Sequence, residues 1–422
     1  MKKILLVVLD GLGDRKNDVL GGLTPLQAAY RPNLNELVRM GMGGLMYPVQ
    51  KGLVCGSDTS HLSLLGYDPR EVYTGRGPFE AIGLGIDVRP GDIAFRANFA
   101  TRASNGKITD RRAGRFIPGS DRLAKSICMK IDGVEFIVKE GVEHRAALVM
   151  RGDGLSPDVT DSDPHVTGLE PKRVAALSEK AQKTANVLNS YLEKVREILD
   201  SHEVNGKRTS DGNPAANELL VRGAGAVPYL EPFPDRYGVK AACLAGVPLI
   251  TGIAKLAGLD LLKFSGATGT VDTDYKGKIH TVISALEKYD FVLLNIKATD
   301  IAGHDKSPEL KRDVIQKIDS AIRPLLSILD ETVICITGDH STPASSGEHS
   351  GDPLPVLFAS YGISRYARST KTAVVMSEAW SAFTGLPDFL PDIYPAAAGP
   401  AIGIHHSRIE KTREYSMPFL AE

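Results

Sequence analysis

The chain is expected to be an α/β protein: a mostly parallel sheet with helices on both faces, interrupted by a smaller inserted domain. Three observations predict this. Short runs rich in Val, Ile and Leu (Lys3 to Leu9, Phe291 to Ile296 and Thr332 to Thr337) are bounded by Gly and polar residues, as buried parallel strands are. Amphipathic helical segments alternate with them, the pattern of a sheet covered on both faces. The third observation is the wide gap in sequence between the first run and the other two. The intervening segment has apolar patterning of its own, so a separate domain is expected there.

The elements follow in order. Met1-Lys2-Lys3 and its apolar run superficially resemble a signal peptide, but the run passes straight into Asp10-Gly-Leu-Gly-Asp14 with no small-residue cleavage site, so a first core strand is expected. Pro32 to Met40 reads as an amphipathic helix. Gly75, Gly77, Gly83 and Gly85 mark the crossing out of the first domain, placed within 70–90. Asp92 to Ala100 alternates as a strand does, and so do Val134 to Val138 and His144 to Arg151. Ser178 to His202 has the helical stripe Val187, Leu188, Tyr191, Leu192, Val195, Ile198 and Leu199. Pro228, Pro232 and Pro234 before Tyr237 suit the return. Further helices are expected around 240–258, 277–288 and 308–328, and no clear pattern follows residue 365. The expected division is a discontinuous domain of 1–75 and 235–422 around an insert of 76–234.

Composition excludes several classes. Among 422 residues, 24% are charged and 42% hydrophobic, with a formal net charge of −1, which offers no attraction to nucleic acid or an anionic membrane. No apolar stretch approaches the roughly 18 residues of a membrane-spanning helix. Cys55, Cys128, Cys243 and Cys335 show no CxxC spacing, so neither a zinc cluster nor a disulfide framework is implied. A cytoplasmic location is the default expectation.

The chemistry lies where the apolar runs stop. The first stops at Asp10, the second leads to Asp300 and His304, and the third stops at Asp339-His340, with His349 nine residues later. Ligands of open α/β sheets bind at the carboxyl ends of strands. Singly, Asp10 could cap a helix and Asp300–His304 could be a solvated pair on one helical turn. Together, three Asp and three His at one sheet edge form a donor set for divalent metal, with two ions the economical number. Gly56-Ser57-Asp58-Thr59-Ser60-His61 then places a glycine-preceded serine at a helix start, where N–H groups and the dipole favour phosphate. By composition Ser57, Thr59 and Ser60 are all candidate nucleophiles. A metal can activate such a hydroxyl.

These residues carry a family resemblance. Val8-Leu9-Asp10-Gly11, Gly56 to Leu62, Asp300-Ile-Ala-Gly-His304, Thr337-Gly-Asp-His340 and His349-Ser-Gly-Asp-Pro-Leu-Pro355 resemble the archaeal branch of the cofactor-independent phosphoglycerate mutases, of the alkaline phosphatase superfamily. So do Thr24 to Ala28, Tyr73 to Gly83, Ala94 to Ala100 and Asp161 to His165; the likeness covers about 1–360. It implies an alkaline-phosphatase-like core and an inserted lid domain. One metal would be held by Asp10, Ser57, Asp339 and His340, the second by Asp300, His304 and His349, with Ser57 the nucleophile. Mn²⁺ is the expected ion, with Co²⁺, Zn²⁺ and Mg²⁺ as alternatives, and bisphosphoglycerate is not needed. The expected reaction interconverts 3-phosphoglycerate and 2-phosphoglycerate through a phosphoserine. A phosphomonoesterase or another phosphomutase on the same core is the alternative.

The chain departs from the better-known bacterial branch in having Gly56-Ser57-Asp58 where that branch has Asn-Ser-Glu. The lysine near phosphate does not align cleanly, so Lys240 and Lys297 are both candidates. In the insert, Arg111, Arg112, Arg115, Arg145 and Arg151 suit a substrate carrying carboxylate and phosphate, because guanidinium forks grip both in bidentate fashion. Asp163 and His165 are candidates for acid/base work on its hydroxyls. The expected partner is this small molecule, not nucleic acid or membrane; the oligomeric state is left open.

Overall fold

A computed structural model describes residues 2–361 and the pair Tyr394–Pro395. The weakly patterned segment after 365 otherwise lies outside the described residues. The chain divides into two compact units, one of residues 1–71, 231–250 and 257–422, the other of 72–230 and 251–256.

The first unit is built on one sheet whose strands run, from edge to edge, Asp260–Leu261, Ala241–Leu244, Phe291–Ile296, Lys3–Leu9, Thr332–Thr337, Leu354–Ala359, Gly41–Met46 and Tyr394–Pro395. The first five are parallel and the rest pair antiparallel. Leu5, Leu6, Val7 and Val8 are all fully buried, so the Lys3–Leu9 strand is covered on both faces, which explains its unbroken apolar sequence. Leu5, Val7 and Leu9 share a core with Leu34 and Leu37, Ile279 and Val282, and Val314, Ile315 and Ile318, the apolar stripes of three helices. The register pairs Leu9 with Ile296 and Val8 with Thr337. The chain therefore leaves all three strands at one sheet edge, the edge that carries Asp10, Asp300 and Asp339.

One element differs from expectation. The helix expected over 240–258 is a strand, Ala241–Leu244, followed by a helix, Pro248–Leu256. The run is apolar throughout, and periodicity cannot tell a short buried strand from a helix. The expected helix over 308–328 is Pro308–Ala321 and then a 3₁₀ turn, Arg323–Ser327.

Helix Pro32–Arg39 begins without a capping side chain of its own. Asp319, on the neighbouring helix Pro308–Ala321, supplies the cap. Its carboxylate accepts from the Leu34 N–H at 2.7 Å, the Asn33 N–H at 3.3 Å and Asn33 Nδ2 at 3.0 Å. A charged acceptor at a helix start satisfies otherwise orphaned donors and complements the helix dipole.

The second unit is an antiparallel sheet ordered Ile108–Asp110, Ile93–Arg102, Arg145–Arg151, Val134–Glu140 and Met129–Ile131, with Glu218–Ala226 also pairing to the long Ile93–Arg102 strand. Helix Gln182–Ser201, preceded by the 3₁₀ turn Glu179–Ala181, packs its expected stripe over the core. Tyr191 stacks on Phe136 with ring centroids 3.9 Å apart, and its hydroxyl donates to the Ile127 carbonyl.

Asp319→Ala should destabilise the protein by about 1–3 kcal/mol, because it orphans buried donors at a helix start. Urea denaturation followed by far-UV circular dichroism measures this, and an unchanged midpoint would show that the cap contributes nothing.

Candidate functional site

At the shared edge of the first unit, each strand exit is held by the next. Gly11 follows Asp10 with φ +63°, and its N–H donates to Asp339 Oδ1 at 2.9 Å. A Cβ on Gly11 would lie 2.7 Å from the Cα, Cβ and Oδ1 of Asp300, so neither the conformation nor the space admits a side chain. Asp300 and His304 lie one turn apart on helix Ala298–His304, as their spacing predicted. Thr299 on the same helix donates its hydroxyl proton to the Asp10 carbonyl.

Three histidines turn one nitrogen inward. His304 Nδ1 donates to the Gly347 carbonyl at 2.8 Å, and His349 Nδ1 to the Cys55 carbonyl at 2.9 Å. Their Nε2 atoms lie 3.4 and 3.7 Å from Asp300 Oδ1. His340 Nε2 lies 3.4 Å from Asp10 Oδ1, 3.5 Å from Asp339 Oδ2 and 3.1 Å from Ser57 Oγ. Donors that share an ion at about 2.1 Å sit about 3–4 Å apart, so these spacings suit divalent metal. Two groups have donor atoms within 4.8 Å of one another: Asp10, Asp339 and His340, and Asp300, His340 and His349.

The charge of the site also fits cations. Asp10, Asp300 and Asp339 are buried together, and the nearest ammonium is Lys297, whose Nζ bridges Asp10 Oδ1 at 2.8 Å and Asp300 Oδ2 at 2.7 Å. Burial raises every carboxylate pKa here, but Lys297 and His340 outweigh it at Asp10 and Asp300, which stay ionised well below the usual range. At Asp339 burial, reinforced by the Asp10 charge, wins and pushes the carboxyl up. Burial lowers the Lys297 pKa, but the three aspartates outweigh it and raise the ammonium above its ordinary value. Asp339 Oδ2 has no hydrogen-bond partner among the described residues. A buried carboxylate oxygen without a donor, amid surplus negative charge, is a ligand atom's signature.

Ser57 opens helix Ser57–Leu64 after Gly56, which offers no capping side chain. It is buried, and His61 holds its turn by donating from Nδ1 to the Ser57 carbonyl at 2.7 Å. Asn295 Nδ2 lies 3.3 Å from His61 Nε2 and 3.1 Å from Asp10 Oδ2, tying the serine's helix to the first strand exit. Of the three hydroxyls left open by composition, Ser57 is the one in contact with a metal-site histidine. The Thr59 hydroxyl is turned back to the Gly56 carbonyl.

The second unit gathers cations. Arg111 makes a bidentate pair with buried Asp163, at 2.9 and 2.7 Å, and Arg222 lies 3.7 Å from the same carboxylate. Arg96 and Arg222 are direct cross-strand partners, a like-charge pairing that is unfavourable unless anions are near. Buried Glu80 answers part of the charge. Burial raises it, but Arg76, Arg96 and Arg145 outweigh this and hold it ionised below its usual range. Burial, with Arg145, Arg112, Arg96 and Arg115 around it, pushes His144 down to about 3, so it stays neutral.

Arg145, Arg112 and Arg115 thus share one neighbourhood, with Arg112 and Arg115 exposed. Arg151 does not face that cluster's carboxylates; it is engaged by Asp92 and the Asp87 carbonyl. Asp163, although buried, is held below its usual range by Arg111, by the His165 N–H and by Arg222, which suits it to position Arg111 better than to trade protons. His165 takes φ +66° and brings Nε2 to 3.5 Å from Asp161. Lys240 is at the wrong edge: it precedes the Ala241–Leu244 strand, beside Asp290, whereas the metal-site residues follow their strands. Lys297 is the lysine that reaches the site. Its i,i+3 spacing to Asp300 was the available signal. Asn295, Arg96 and Arg222 were missed because their partners are remote in sequence; Arg76 and Thr342 were missed although each has one partner close by, Glu80 and His340.

A model of the 2,3-bisphosphoglycerate-independent phosphoglycerate mutase family matches residues 39–205. A relative from Thermoplasma volcanium named 2,3-bisphosphoglycerate-independent phosphoglycerate mutase is 54% identical over 363 residues, 86% of this chain and 89% of the relative. The solved cofactor-independent phosphoglycerate mutase of Thermoplasma acidophilum is similar with 48% identity and a TM-score of 0.63, covering 86% of this chain and 90% of that one. A solved protein from Pyrococcus horikoshii has a TM-score of 0.73 at 37% identity, over 85% of this chain and 87% of its own. The α/β fold expected from the sequence is thus shared with solved relatives.

Gly11→Ala should disrupt the metal site, since the new Cβ must displace Asp300. Mn²⁺ should raise the melting temperature of the native protein by several degrees, and that of the variant far less, in a thermal-shift titration. An equal shift would mean that the Gly11 contact does not shape the site.

Proposed function

The chain belongs to the 2,3-bisphosphoglycerate-independent phosphoglycerate mutase family, and from this we propose that it interconverts 3-phosphoglycerate and 2-phosphoglycerate through a phosphoserine on Ser57. The observation that carries the mechanism is the buried Ser57 hydroxyl, 3.1 Å from His340 Nε2 at an edge where three aspartates and three histidines converge.

Asp10, Ser57, Asp339 and His340 would hold one divalent ion, and Asp300, His304 and His349 a second; the mixed oxygen and imidazole set accepts Mn²⁺, Co²⁺ or Zn²⁺, and the family resemblance favours Mn²⁺. When bound, such ions lower the pKa of a coordinated hydroxyl and neutralise phosphoryl oxygens.

The remaining steps belong to the chain. Ser57 Oγ gives up its proton and attacks phosphorus in line, so an Oγ–P bond forms as the substrate's O–P bond breaks, and the departing glycerate oxygen takes up a proton. His165 is the candidate donor in the inserted unit. Glycerate then presents its other hydroxyl, which loses a proton and takes the phosphoryl group back from Ser57. Lys297, bonded to Asp10 and Asp300, keeps both carboxylates oriented and offers positive charge beside the phosphoryl group. Arg96, Arg111, Arg145 and Arg222 suit the glycerate carboxylate, with Asp163 fixing the Arg111 fork. Arg112 and Arg115 are exposed candidates for the first encounter with the anion.

The protein should convert 3-phosphoglycerate to 2-phosphoglycerate without added bisphosphoglycerate. EDTA should abolish that turnover and Mn²⁺ restore it, in an enolase-coupled assay run with a free-phosphate assay. Phosphate release outrunning isomerisation would instead assign a phosphomonoesterase.

Ser57→Ala should lower turnover by about 10⁴-fold or more while the far-UV spectrum stays native. Activity within tenfold of native in that variant would rule out the covalent route.

A further inference from the structure

Thr342 is fully buried and touches one member of each proposed ligand set. Its Oγ1 lies 2.7 Å from Asp300 Oδ1 and 3.1 Å from His340 Nδ1. A hydroxyl has one proton and an ionised carboxylate can only accept, so the proton goes to Asp300. The hydroxyl oxygen must then accept from His340 Nδ1–H. In the neutral imidazole that a metal requires, this places the His340 proton on Nδ1 and leaves the lone pair on Nε2, the atom facing Ser57, Asp10 and Asp339. His304 and His349 set the same tautomer through backbone carbonyls. His340 alone uses a side chain, and that side chain also holds a ligand assigned to the other ion.

The rest of Thr342 is clamped. Its N–H donates to the Gly13 carbonyl at 3.1 Å. Its carbonyl accepts from Lys311 Nζ at 2.8 Å, and the same ammonium donates to the Gly13 carbonyl at 3.0 Å and to Asp14 Oδ2 at 2.8 Å. Lys311 is fully buried, and these bonds use all three of its protons. Its ammonium therefore locks the loop after Asp10 to the loop after His340. Gly303 faces the Thr342 carbonyl and methyl; a Cβ there would meet Cγ2 at 2.9 Å. With the methyl seated on Gly303, beside His304, the β-branched side chain has little freedom to swing its hydroxyl away from Asp300 and His340.

We propose that Thr342 is a positioning residue that couples the two metal-ligand sets, orienting Asp300 of one and fixing the His340 tautomer of the other through one hydroxyl. The inference rests on the two-metal reading given above. It assigns to a non-ligand an effect on both ions, whereas loss of a group serving one ligand would affect one.

The test uses full-length protein stripped of metal and titrated with Co²⁺, followed by visible d–d absorption and by equilibrium dialysis. Thr342→Val keeps the shape and removes the hydroxyl. It should weaken binding of both ions by about 10–100-fold and change the Co²⁺ spectrum, and Thr342→Ser should restore affinity to within a few-fold of native. Two ions bound by Thr342→Val with native affinity and an unchanged spectrum would overturn the assignment, as would Thr342→Ser binding no better than Thr342→Val. Should Thr342→Val fail to fold, Thr342→Ala replaces it in the same comparison with Thr342→Ser. Native protein that takes up fewer than two ions would sink the two-metal reading, an outcome separate from failure at Thr342.

Discussion

Asp10, Asp300 and Asp339 confine three carboxylates to one buried sheet edge. Two unit charges 4 Å apart repel by about 4 kcal/mol at an effective dielectric near 20, so such a cluster must be compensated to persist. Much of the surrounding structure supplies that compensation. Lys297 bridges two of the carboxylates, and the Gly11 and His340 N–H groups donate to Asp339 Oδ1. Thr342 donates to Asp300 and Asn295 to Asp10. The compensation stops short at Asp339 Oδ2, which has no donor among the described residues, and whose carboxyl is pushed up by burial and by Asp10. A divalent cation there would complete what the protein leaves incomplete.

Topology makes this crowding possible. Parallel neighbours release their chains at the same edge, and the in-register pairing of Lys3–Leu9 with both Phe291–Ile296 and Thr332–Thr337 sets the three exits side by side. Antiparallel neighbours would have sent alternate exits to opposite edges. The antiparallel strands Leu354–Ala359 and Gly41–Met46 are confined to the flank beyond Thr332–Thr337, where no proposed ligand leaves a strand. His349 reaches the site from the loop before that flank, held by the Cys55 carbonyl.

What could be read in the sequence follows from the range of the interactions. Strand cores announce themselves locally, and so do aspartates at their ends, which is why the convergence of Asp10, Asp300 and Asp339 at one sheet edge was legible. The stripe from Val187 to Leu199 was legible for the same reason. The strand Ala241–Leu244 was not, because an apolar run continuing into Pro248–Leu256 has no period of its own to separate the two elements. Lys240 was misplaced by that same error: without the strand, nothing indicates that it lies before the strand and so at the far edge. Arg96 and Arg222 gave no signal, since their adjacency exists only in the register of two strands far apart in sequence. Thr342 carried no signal in the sequence. Its importance depends on Gly303, Lys311 and Asp300, none of them near it in the chain.

A net charge of −1 is a property of the whole chain and hides local imbalances of either sign. In the first unit three buried carboxylates share a single bridging ammonium, Lys297, so the local balance is negative and suits a cation. In the inserted unit the excess is positive: Arg76, Arg96, Arg111, Arg145 and Arg222 surround little more than Glu80 and Asp163. Both carboxylates there are already committed to guanidinium partners. Like-charged guanidiniums facing each other across a strand pair are stable in the company of an anion with several acceptor oxygens. In the proposed reaction the substrate is a phosphorylated hydroxy acid, whose phosphoryl group and carboxylate are the kinds of anion that a metal-bearing acidic site and guanidinium forks each suit. A simple phosphate monoester would answer only the first, leaving the arginines of the inserted unit without a chemical purpose.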